Sequence, residues 1–188
     1  MEHMTATGTA ARSRVRAEQP VEPVDFQEFA VGRGGQLFRT AFLLTAGDAH
    51  LAEDLVQEVL GRMFARWGRL SRLDNPSGYA QTVLVNVFIS LRRKRSSGEL
   101  PTESLVERAA GTAGEGDPAL RVTLLAALRQ LSPQDRAVLV LRYWEDRSVE
   151  ETAAALRLTS TAVRSRSSRA LERLRGVLGS SVDEIAEC

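Results

Sequence analysis

The chain has 188 residues, room for one large domain or two small ones, and 43% of them are hydrophobic, so real cores can form. Its 25 basic and 24 acidic residues leave a net charge of +1, which excludes a general polycation and means the charge must be sorted by region. One cysteine, Cys188, and two histidines, His3 and His50, exclude a disulfide framework, a zinc cluster and a histidine-based triad. No catalytic residue, metal site or cofactor is expected. No signal peptide and no apolar run near about 18 residues is found, so the expectation is a soluble, cytoplasmic protein without membrane insertion.

In chain order, residues 1–22 are rich in Thr, Ala, Arg and Pro and lack apolar periodicity, which predicts a disordered N-terminal tail. Arg12, Arg14 and Arg16 are read there as solvated rather than as nucleic-acid contacts. A helical pattern begins at Asp25 with Phe26, Phe29 and Ala30 and resumes after Gly32–Gly35 with Leu37, Phe38, Ala41 and Phe42. Asp48 can cap a second helix whose apolar positions are Ala52, Leu55, Val56, Val59, Leu60, Met63, Phe64 and Trp67. Burying that stripe displays Asp54, Gln57, Glu58 and Arg62 on the opposite face. Asn75–Pro76 opens a third helix, with Ala80, Val83, Leu84, Val87, Phe88 and Leu91 facing inward and Arg92, Arg93, Lys94 and Arg95 at its end. Tyr79, Asn86 and Ser90 lie off the stripe.

Residues 96–118 break the periodicity. Glu99, Glu103, Glu107, Glu115 and Asp117 face a single Arg108, the composition of an acidic, flexible linker. Asp117–Pro118 then caps a helix with Val122, Leu125, Ala126 and Leu128 inward. Ser132–Pro133 opens another, with Ala137, Val138, Leu141 and Tyr143 or Trp144 inward. Ser148 with Glu151 makes a capping box before Val149, Thr152, Ala153 and Leu156. Arg157–Leu158–Thr159 supplies a turn, and Ser160 or Thr161 can cap the last helix. That helix buries Val163, Ala170, Leu171 and Leu174 and points Arg164, Arg166, Arg169, Arg173 and Arg175 outward against one acid, Glu172. A short turn between two helices, the second Arg-rich, is what a helix lying in a DNA major groove requires: Arg neutralises phosphate and grips guanine edges bidentately. The fold class expected is all-α: two small helical domains (23–95 and 119–178), folding separately, joined by the linker, the C-terminal one a helix-turn-helix, with a short tail over 179–188. Cys188, terminal and isolated, is read as inert.

Three segments in this order resemble the extracytoplasmic-function (group IV) sigma factors of bacterial RNA polymerase, most closely the actinobacterial sigma-E-like branch. AEDLVQEVLGRMFARW (52–67) is similar to the family's core-binding helix, NPSGYAQTVLVNVFISLRRKR (75–95) to its −10-recognising and melting helix, and residues 131–175 to its −35-binding domain, with Val163–Ala170 matching a V-x-S-R-x-x-R-A core. The resemblance spans roughly 25–178 and implies a promoter-specificity subunit with no catalytic site of its own. It implies that Asp54, Gln57, Glu58 and Arg62 dock on the coiled coil of the polymerase's largest subunit, where carboxylates suit partner arginines. Tyr79, Asn86 and Arg92–Arg95 would read and hold the −10 strand, extracted bases being held in pockets while cations follow the backbone. Tyr79, Val85 and Ser90 depart from the residues commonest in the family at these positions, which puts a transferred −10 sequence in doubt. Ser160, Thr161, Arg164, Ser165 and Ser168 would read −35 bases, with Arg166, Arg169 and Arg173 on phosphate. Further partners implied are the flap region of the polymerase, promoter DNA and an anti-sigma protein of the kind that often clamps such factors. The acidic linker would thread through the polymerase cleft and RNA exit path. A free-standing regulator would leave 52–95 unexplained, and a hydrolase lacks a histidine, cysteine or phosphate loop beside Glu53, Asp54 and Glu58.

Overall fold

The structure, a computed structural model, describes residues 25–97 and 118–179; the expected N-terminal tail, nearly all of the acidic linker, the Asp117 cap and the C-terminal tail with Cys188 lie outside them. The described residues form helices and turns and contain no strand. Asp25 leads into α1 (Phe26–Leu44), which runs unbroken through Gly32, Gly34 and Gly35. Asp48 caps α2 (Ala49–Phe64) by accepting from the Leu51 N–H at 3.0 Å. The expected helix stops three residues short of Trp67. Arg66 leaves helical geometry, and Trp67 begins a single turn, α3 (Trp67–Leu70), its ring 4.8 Å from Phe29 and 5.4 Å from Phe26. Phe64, expected inward, is 67% exposed, with its ring 5.1 Å from that of Phe26.

Asn75 caps α4 (Pro76–Ser96), accepting from the Gly78 N–H at 2.7 Å, with Pro at the first helical position. Its fully enclosed residues are Ala80, Leu84, Val85 and Phe88, whereas Val83, Val87 and Leu91 are only half-buried. The buried face is thus rotated from the expected one toward Val85. The reason is a second layer: α1 and α2 cover one side of α4, and helices of the C-terminal half cover another.

That half comprises α5 (Pro118–Arg129), α6 (Pro133–Leu139), a π-helical turn over Val140–Trp144, α7 (Val149–Leu156) and α8 (Ser160–Leu178). Ser132 caps α6 by accepting from the Asp135 N–H. The capping box of Ser148 and Glu151 on α7 forms as the spacing predicts. The cap of α8 is Thr159, which accepts from the Ala162 N–H, rather than Ser160 or Thr161. On α5, Leu125, Ala127 and Leu128 are buried while Val122 and Ala126 are exposed. Tyr143 and Trp144, expected inward, are about half exposed. The wide turn, closed by the Glu145 N–H on the Val140 carbonyl, shifts the phase of the chain and turns these rings outward.

The two helical groups, expected to fold separately, do not stand apart. Their buried side chains form one continuous core. Arg136 of α6, 4% exposed, donates to the carbonyls of Leu44 at 2.8 Å and Leu131 at 3.2 Å, serving the C-terminal ends of helices from both groups. Burial, with the nearby Arg92 and Arg129 charges, pushes its pKa down to about 10. Arg129 donates to the Ala46 carbonyl at 3.0 Å, and Leu125 rests on Gly47, whose φ of +94° is a conformation side-chain-bearing residues avoid.

Candidate nucleic-acid and core-polymerase surfaces

On α2 the apolar stripe turns inward and Asp54, Gln57, Glu58 and Arg62 are exposed together on the opposite face. Glu58 and Arg62, one helical turn apart, pair at 2.7 Å with both side chains about half exposed. Pairing of this kind on a wet surface contributes less than about 1 kcal/mol, so both charges are available to a competing partner.

The −10 candidates divide. Tyr79, Asn86 and Arg93 line one cleft of about 500 Å3 together with Ser90, Arg62 and Arg66, and its far wall is the Gln134, Leu156 and Arg157 of the C-terminal half. The cleft is cationic, and Arg157 sits in it with a left-handed backbone at the turn of the helix-turn-helix. Asn86 does not project freely. Its amide donates to the Thr82 carbonyl at 2.8 Å and to the Ala155 carbonyl of α7 at 3.1 Å. Lys94 is exposed, like Arg93. Arg92 and Arg95 are half-buried, and Arg92 lies over the Phe88 ring at 5.8 Å. Burial, aided by the Arg95 charge and opposed by Asp48, lowers the Arg92 pKa.

On α8, Thr161, Arg164, Ser165 and Ser168 are exposed along one face, with Ser160 half-buried beside them at the helix start. Arg164 reaches Glu150 of α7 at 3.2 Å, a pair with both partners largely exposed. Arg169 and Arg173 are exposed on the adjoining strip. Arg166 differs: it pairs with Asp135 of α6 at 2.7 Å, with side chains only 28% and 16% exposed, and so ties α8 to α6. Burial works to raise the Asp135 pKa but is outweighed by hydrogen bonds from Ser132 and Arg166 and the charges of Arg166 and Arg173, which hold it below the ordinary carboxylate range.

The sequence reading missed a polar group between the halves. Glu145, just after the π-helical turn, accepts from Gln36 at 3.1 Å and from Thr40 and Gln81. Arg147 donates to the Gly78 carbonyl at 2.7 Å, Gln81 Oε1 at 2.8 Å and Thr82 Oγ1 at 3.0 Å. One sequence signal was present: Val85 and Ile89 add apolar positions beside the expected stripe of α4, which calls for partners on more than one side.

A model of Sigma-70 region 2 matches residues 33–98, and one of Sigma-70, region 4 matches residues 121–174. The chain is 38% identical over 154 residues to the RNA polymerase sigma-E factor of Streptomyces coelicolor, covering 82% of this chain and 86% of that protein. It is 31% identical over 189 residues to the ECF RNA polymerase sigma factor SigE of Mycolicibacterium smegmatis, covering 96% and 71%. Among solved structures, the sigma factor RpoE of Bartonella quintana, in complex with the anti-sigma factor NepR, superposes with a TM-score of 0.67 at 28% identity, covering 82% of this chain and 97% of that one. The chain therefore belongs to the extracytoplasmic-function sigma factors of the sigma-70 family, the subunits that direct RNA polymerase to promoters.

Proposed function

We propose that the chain divides its work along its length as follows. A region spanning 23–95 docks on core polymerase and engages the −10 element, the acidic segment 96–118 links it to the rest, and 119–178 binds the −35 element. Asp54, Gln57, Glu58 and Arg62 meet the coiled coil of the polymerase's largest subunit; the observation that carries this is their common exposure on α2, opposite the buried Leu51, Leu55, Val59 and Met63. Tyr79, Asn86, Arg93 and Lys94 hold the −10 strand, supported by the cationic cleft that gathers the first three. Ser160, Thr161, Arg164, Ser165 and Ser168 read −35 bases, while Arg169 and Arg173 grip phosphate. Arg166, expected on phosphate, instead ties α8 to Asp135 of α6, and Arg92 packs over Phe88, so the DNA role rests on the remaining cations.

The protein acts without a catalytic site of its own, in the cytoplasm, on the nucleoid when bound to polymerase, and contacts the flap region through its C-terminal half. Likeness to a factor solved with an anti-sigma protein supports a partner of that kind here as well. The test is in vitro transcription from sheared genomic DNA by core polymerase with and without the chain. Start sites that depend on the chain and share two spaced upstream elements are expected; transcription indifferent to its presence would contradict the assignment.

A further inference from the structure

Resting on the assignment of α2 to core polymerase, we propose that Gly61 and Phe64 are the specificity-determining pair of that docking face. Gly61 is a notch and Phe64 an apolar knob, and together they admit one close-packed helix of the coiled coil. At about 3.6 residues per turn, Gly61 stands two turns beyond Asp54, one turn beyond Gln57 and Glu58, and one turn short of Phe64. All five are exposed, so they form one column down the outer side of α2. Arg62 lies beside it, paired with Glu58 at 2.7 Å.

Neither Gly61 nor Phe64 is explained by the chain's own packing. A glycine inside a helix weakens it relative to alanine, and a Cβ at Gly61 would meet nothing within 4 Å. Phe64 leaves 67% of its surface in water although Phe26 lies alongside. A large aromatic in that position forgoes most of the gain from burial. One approaching helix accounts for both. Over a glycine, a helix axis can come to the short end of the usual spacing, about 8 Å, and at that range it covers the neighbouring aromatic ring. Buried aromatic anchors of this kind carry much of the energy of protein interfaces. The charges decide which partner fits. Glu53, Asp54 and Glu58 are exposed and repel phosphate, which excludes nucleic acid from this face. The helix that fits carries arginine or lysine opposite Asp54 and Glu58, a side chain seated over Gly61, and an apolar residue against Phe64.

The test uses the full-length chain. Cys188 is its one cysteine and lies far along the chain from α2, so a fluorophore there reports binding to core polymerase by anisotropy. Gly61→Ala, Gly61→Leu and Phe64→Ala are compared with the native chain and with the charge reversal Asp54→Arg with Glu58→Arg. Affinity for core is expected to fall at least about tenfold in Gly61→Leu and Phe64→Ala, and by less in Gly61→Ala. Over the same series the Tm of Gly61→Ala should rise. Weaker binding by a more stable chain is a result that a merely structural role for Gly61 does not produce. Native affinity in Gly61→Leu and Phe64→Ala, with binding lost on charge reversal, overturns the notch and knob and leaves the docking face standing. Absence of core binding by the native chain overturns the docking face and this inference with it. Self-association that disappears in Phe64→Ala while core affinity stays native assigns the patch to a second copy of the chain and also overturns the proposal.

Discussion

Arg166 and Arg169 stand three residues apart on the Arg-rich helix, and their substitutions should have opposite consequences. Arg166→Ala removes a 2.7 Å pair whose partners are 28% and 16% exposed. A wet surface pair is worth less than about 1 kcal/mol and breaking a fully buried one costs about 3–5 kcal/mol. Asp135 keeps its Ser132 hydrogen bond, which softens the loss. The expected cost is therefore about 2 kcal/mol, or roughly 4–8 °C in Tm for a chain of this size. Arg169 is exposed and bonds only its own helix, at Ser165, so Arg169→Ala should change stability by less than about 0.5 kcal/mol. On DNA the order reverses. Arg169→Ala should lower the slope of log K against log salt by about 0.9, one phosphate contact, while Arg166→Ala leaves that slope unchanged. Urea unfolding followed at 222 nm, together with fluorescence anisotropy on duplex DNA across a salt series, measures both. A reduced salt slope with native stability in Arg166→Ala would refute the division between packing and phosphate-binding arginines.

Arg164→Ala is expected to cost about 1–3 kcal/mol on the preferred −35 sequence and to relax discrimination at one base position, checked by anisotropy on single-base variants; an equal loss on every sequence would move Arg164 to the phosphate group. Because the folded Asp135 pKa is depressed, its contribution to stability is present above the unfolded value of about 3.9 and is lost as pH falls below that toward the lowered folded value. Urea midpoints between about pH 2 and 5 should therefore fall less steeply for Asp135→Asn than for the native chain. Gly47→Ala should destabilise by about 1–3 kcal/mol, since it forces a side chain into a positive φ with its Cβ 3.0 Å from Leu125 Cδ1, whereas Gly61→Ala, helical and facing open space, should stabilise by about 0.5–1 kcal/mol; thermal unfolding of the two variants distinguishes these signs.

The local structure was largely legible in the sequence. Asp48, Asn75, Ser132 and the Ser148–Glu151 box all cap the helices their spacing indicated, because capping is a short-range exchange between a side chain and the N–H groups two or three residues on. The exposed faces of α2 and α8 followed from apolar stripes of regular period. Contacts between the halves were not legible. Val85 was not counted on the inward stripe and is fully enclosed, since a stripe analysis assumes one covered face and α4 has two. Charge alone does not reveal that a neighbouring helix supplies the acid that Arg166 meets, or that Arg92 lies over the Phe88 ring of its own helix. The π-helical turn shifted Tyr143 and Trp144 outward, and no residue spacing announces the extra residue in such a turn. Glu145 and Arg147 acquire their meaning only from Gln36, Thr40, Gln81 and Thr82, more than 60 positions away.

The most direct measurement is co-elution of the purified chain with core RNA polymerase on gel filtration, beside the double substitution Asp54→Arg with Glu58→Arg. Both residues are exposed on α2, so reversing their charge should leave the fold intact while opposing any docking that depends on them. Stable co-elution of the native chain, abolished in the charge-reversed one at unchanged helix content, is the expected result. A folded chain that binds DNA but never accompanies core polymerase would contradict the account.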